Sequence, residues 1–102
     1  MKKIYFILSF LFISFSYGQS TQNKGDIANF SMYPNPVTSG KVYISTEKNN
    51  AKEIFIYDVL GTLVLKTTIL RKELNVSELD AGVYVLRVIE KDKVATRKLI
   101  IK

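Results

Sequence analysis

The sequence predicts an all-β protein, an antiparallel sandwich of about seven short strands, and three observations carry that prediction. Apolar and polar residues alternate with a period of two in run after run beyond Phe30, the mark of strands with one buried face. β-Branched and aromatic residues, which fit a pleated and half-buried surface, are abundant in those runs. Turn residues separate the runs about every 8–12 positions, the spacing of a sandwich rather than of alternating helices and strands.

The chain begins with a different pattern. Lys2 and Lys3 give a positive start, and Ile4 to Phe15 form an apolar stretch broken only by Ser9 and Ser14. Ser16-Tyr17-Gly18 then supplies the small-x-small pattern of a cleavage site. Together they predict a signal peptide over residues 1–18, cut before Gln19. The apolar run falls short of the ~20 residues that cross a bilayer, so no stable transmembrane anchor is expected. The chain has no cysteine, which leaves no site for lipid attachment. Residues 19–29 are polar, with one isolated isoleucine, and read as a flexible leader.

The ordered domain is expected from residue 30 to residue 102. Its first strand, 30–33, stops at Pro34-Asn35-Pro36, because neither proline can donate to a ladder and each restricts the residue before it. Strand 41–46 follows Ser39-Gly40, with Val42 and Ile44 on one face and Tyr43 on the other. Strand 53–58 comes after Lys48-Asn49-Asn50 and places its isoleucines opposite Phe55 and Tyr57. Strands 63–69 and 73–76 continue the pattern. Val76-Ser77-Glu78-Leu79 has room for one helical turn at most before Gly82. The long strands 83–90 and 93–101 are joined by the charged turn Glu90-Lys91-Asp92-Lys93.

Absent residue types narrow the function. No histidine is present, which removes the usual general base and the commonest metal ligand. Without cysteine there is no thiolate nucleophile and no structural zinc site. The nine acidic residues mostly sit beside turns or lysines and read as surface charge. No enzyme and no cofactor is expected. The formal charge of +6, reduced by two when the signal peptide leaves, is spread along the chain. It lacks the patch or stripe that a nucleic-acid partner requires.

Several positions stand out against this background. Asp58 and Gly61 are expected to close a hairpin, the carboxylate accepting turn amides and the glycine supplying positive φ. A calcium role for Asp58 would need further oxygen donors nearby. Gly82 is expected to mark a tight strand entry, and Tyr84 to pack in the core with its hydroxyl on a backbone group. Tyr43 and Phe55, if they face outward, are candidates for a contact surface. Arg97-Lys98-Leu99-Ile100-Ile101-Lys102 is either a sandwich strand or an edge open to pairing by another protein.

In their order and spacing, these motifs resemble the C-terminal sorting domain (type A) of type IX secretion. The likeness runs through Tyr33-Pro34-Asn35-Pro36, Tyr57-Asp58 with Gly61, Leu79 with Gly82-Val83-Tyr84, and the basic-apolar close Lys98 to Lys102. It implies an immunoglobulin-like sandwich exported through the periplasm of a Gram-negative bacterium to the cell surface or medium. The implied partners are the general secretory machinery, the type IX outer-membrane translocon and a surface protease-transpeptidase. It also implies that Pro34, Asn35, Pro36, Asp58, Gly61, Leu79, Gly82, Tyr84, Lys98, Leu99, Ile100, Ile101 and Lys102 serve translocon recognition. A monomer is expected, and residues 19–29 are too few to form a folded cargo. A small exported binding or adhesive module is the competing expectation.

Overall fold

The computed structural model describes residues 25–102. The expected signal peptide and most of the leader lie outside the described residues. Seven strands follow one another: β1 Ser31–Tyr33, β2 Lys41–Ser45, β3 Lys52–Asp58, β4 Leu63–Ile69, β5 Glu73–Asn75, β6 Gly82–Glu90 and β7 Lys93–Ile101. The bounds read from periodicity differ from these by no more than one residue at any end. There is no helix among the described residues.

The strands form two sheets, β1-β2-β5 and β4-β3-β6-β7, and every strand pair is antiparallel. Alternation decides what each sheet buries. Val42, Ile44 and Leu74 come from the smaller sheet. Ile54, Ile56, Leu86, Val88, Ala95, Leu99 and Ile101 come from the larger one. All belong to a single apolar cluster. Full burial of each such aliphatic side chain is worth ~1.5–3 kcal/mol, and with no disulfide this cluster supplies most of the stability.

Two features depart from the sequence reading. The first concerns charge. Lys52 and Glu90 lie on the buried phase of β3 and β6, and their side chains are 1% and 5% exposed. Lys52 Nζ stands 3.5 Å from Glu90 Oε2 and donates to the Asn50 carbonyl at 2.8 Å. The same Glu90 oxygen accepts from Thr46 Oγ1 at 2.8 Å and from the Asn50 amide at 2.7 Å. Glu90 is therefore a core group and not surface charge. It accepts from two donors that the end of the sandwich would otherwise bury without partners, and it is the counter-charge of buried Lys52.

The second concerns residues 25–29, assigned by composition to the leader. Gly25 O accepts from the Val94 amide at 3.0 Å, and Ala28 O accepts from the Glu47 amide at 3.1 Å. Asp26 pairs with Arg97 at 3.2 Å. Ile27, the isolated isoleucine, is 5% exposed and joins the core cluster. Composition averages over a segment, whereas one apolar side chain beside an open end of the core is enough to pin it.

Candidate functional site

The motif residues lie far apart in the sequence, yet the sheets bring them to one end of the molecule. β3 ends and β6 begins there, and Asp58 pairs with Tyr84. On the other side of β6, Tyr84 pairs with Leu99 and Gly82 with Ile101. The row Asp58–Tyr84–Leu99 thus crosses three strands.

Beyond β7 the row continues into the Pro34–Val37 segment. After β1 the chain leaves the smaller sheet and passes to the outer edge of the larger one. The Asn35 side chain acts there as a substitute strand: its Nδ2 donates to the Lys98 carbonyl at 2.9 Å, and its Oδ1 accepts from the Ile100 amide at 2.9 Å. The Val37 amide donates to Ile100 O at 2.8 Å, and the Lys102 amide donates to Val37 O at 2.9 Å. Val37 and Ile101 form a parallel bridge. Both Tyr33-Pro34 and Asn35-Pro36 peptide bonds are cis.

This arrangement makes the last segment a strand of the sandwich. Leu99 and Ile101 point into the core, and the backbone groups that would accept an added strand at 98–102 are already taken. The tail is a strand with a covered edge. Covering it removes the template for unwanted pairing that a bare terminal strand would present. A partner that added a strand at 98–102 would first have to displace Asn35 to Val37.

The central hairpin is built as a local unit. Asp58 Oδ1 accepts from the Leu60 amide and the Thr62 amide, both at 2.9 Å. The Asp58 amide donates to Thr62 O at 2.9 Å, and the Gly61 amide to Asp58 O at 3.0 Å. Gly61 has φ 88°, a conformation a side chain would strain. At the tip of this turn Val59 and Leu60 project outward, 73% and 86% exposed.

Tyr84 is buried near the start of β6, and its hydroxyl donates to the Asp80 carbonyl at 2.6 Å. That bond ties the β5–β6 connection to the strand it leads into. Leu79 packs against the core cluster from the same connection, its amide donating to Val76 O at 3.0 Å. Gly82 has ordinary extended backbone and is not among the glycines with positive φ. A Cβ placed there would meet the Tyr84 ring at 3.8 Å, an ordinary contact. The tight entry expected at Gly82 is made instead by the Tyr84–Asp80 bond.

Chemically, this end of the molecule presents a surface. Among the described residues no group of three acidic side chains is placed to hold a metal ion. The outward side of the larger sheet carries residues that the sequence reading mostly left unassigned: Leu63, Val83 and Val85, each more than a third exposed, beside half-buried Phe55 and Tyr57. Phe55 was an expected contact residue. The others were not, because in a run such as Val83 to Ile89 both phases are apolar and alternation cannot say which faces water.

The family model described as secretion system C-terminal sorting domain matches residues 31–102. No curated protein matches the chain.

Proposed function

We propose, from the premise that the chain belongs to the secretion system C-terminal sorting domain family, that this two-sheet body is a non-enzymatic address for its own chain. In this reading it directs export across the outer membrane by type IX secretion, after passage through the periplasm of a Gram-negative cell. The observation that carries the reading is convergence. Four dispersed motifs meet in one hydrogen-bonded end, from Asn35 through Leu99 and Tyr84 to Asp58. Such an end gives a translocon a folded shape to read rather than a linear tail.

We read the architecture as immunoglobulin-like. Support comes from the strand order β1-β2-β5 and β4-β3-β6-β7, and from a tyrosine near the start of the sixth strand bonded to backbone four residues upstream. The partners are the general secretory machinery and the type IX outer-membrane translocon, with a surface protease-transpeptidase acting on the exported chain.

The test places residues 19–102 behind a signal peptide and a fluorescent protein, in hosts with an intact or a disabled type IX translocon. The expected result is fluorescence outside the cell in the intact host alone. Retention in the periplasm of both hosts would reject the address and favour a small exported binding or adhesive module.

A further inference from the structure

We infer that the outward face of the β4-β3-β6-β7 sheet is a docking surface for a protein of the export apparatus whose own surface is apolar and studded with carboxylates. The inference rests on the sorting reading above and names the surface it uses.

Register assembles the face. Leu63, Tyr57, Val85 and Lys98 form one cross-strand row, and Lys66, Phe55, Arg87 and Thr96 the next. Val83 and Ile100 flank the first row, and Glu53, Ile89 and Val94 follow the second. The side of a sheet turned to water ordinarily carries polar residues, so this one is unusually apolar. Val59 and Leu60 of the adjoining hairpin are exposed apolar residues as well.

Charge selects the occupant. Lys66, Arg87 and Lys98 are exposed cations on the face, and Glu53 is its one acid. None of the three cations forms an ion pair among the described residues, where the pairs are Lys41–Glu73, Lys52–Glu90 and Arg97–Asp26. Lys66 lies 5.7 Å from the Phe55 ring centroid. Arg87 sits in the middle of the sheet, with Phe55 on one side and Thr96 on the other. A lipid surface would bury that guanidinium in hydrocarbon as the valines entered, at a cost of several kcal/mol. A protein can instead meet it with a carboxylate, two parallel hydrogen bonds and a flat apolar surround.

Size sets the strength. Four strands ~4.8 Å apart, each contributing about seven residues at ~3.3 Å, present roughly 450 Å². Twice that area lies in the range of weak, transient encounters. A protein that must be captured and then released across a membrane fits such an interface.

The experiment uses the reporter fusion in the intact and disabled hosts, with Arg87→Glu, the pair Lys66→Glu and Lys98→Glu, and Lys48→Glu as an exposed charge-matched control away from the face. The face variants are expected to cut translocon-dependent secretion about tenfold or more, with thermal unfolding of the purified domain within a few degrees of the parent. Lys48→Glu is expected to leave secretion unchanged. If Arg87→Glu lowers the unfolding temperature, Arg87→Gln makes the same comparison without reversing the charge. Secretion of the face variants at the parent level, while the parent remains translocon-dependent, would overturn the docking surface and leave the address standing. A parent fusion indifferent to the translocon would remove the premise and the proposal with it. Sedimentation of the purified chain with phosphatidylglycerol–phosphatidylethanolamine vesicles at physiological salt, abolished by Arg87→Glu, would assign the face to lipid and contradict a protein partner.

Discussion

Replacing Glu90 with alanine is expected to lower the thermal unfolding midpoint by on the order of 20 °C. The side chain is the only acid within reach of buried Lys52 among the described residues, and it also receives the Thr46 hydroxyl and the Asn50 amide. Alanine leaves an ammonium group buried without a counter-charge and two donors without an acceptor. Breaking a buried ion pair from one side costs ~3–5 kcal/mol, a large part of the ~5–15 kcal/mol that holds a domain together. In a domain this small each kcal/mol moves the midpoint by about 4–8 °C. The double replacement Lys52→Met with Glu90→Leu removes both charges and is expected to restore most of the loss. Circular dichroism melts of the three proteins check this. A Glu90→Ala midpoint within about 4 °C of the parent would mean that the pair is solvated rather than buried.

Leu99→Ala is the second large effect. Leu99 is fully buried near the end of β7, and deleting such a side chain costs ~2–5 kcal/mol in transfer and cavity terms. Lys102→Ala, three residues later, should stay within about 0.5 kcal/mol, because its side chain is exposed and its backbone bond to Val37 survives. Denaturant titration measures both. Secretion of the fused reporter should fall with stability in the first case and hold in the second. Equal loss of secretion with both substitutions would instead favour recognition of the tail as a linear basic-apolar string. Deleting residues 97–102 cannot make this distinction, since it removes core, pairing and charge together.

Much of this was legible in the chain. Alternation and the turn residues between runs located the strands, though not always which side faces water, and Asp58 with Gly61 specified their turn locally. What escaped were facts that depend on neighbours. Lys52 is in phase with Ile54 and Ile56, and Glu90 with Tyr84, Leu86 and Val88, so the register pointed inward at both. Only the meeting of β3 and β6 shows that the two charges satisfy one another. The covered edge of β7 was equally hidden. Asn35 reads locally as a turn residue between prolines, and nothing nearby announces hydrogen bonds to residues more than sixty positions away. Ile27 escaped for the opposite reason, one apolar residue in a polar stretch being too little signal.

The account holds that the terminal strand reaches its reader as part of a closed, folded body. Amide hydrogen exchange on the purified domain tests this most directly, followed at Val37 and Ile100, whose N–H groups bind across the β7 edge. Both amides should be protected nearly as well as those of Leu86 and Val88 in the centre of the sheet. Exchange at the rate of an unstructured peptide at Val37 and Ile100, with the centre still protected, would show that the edge is open and contradict the account.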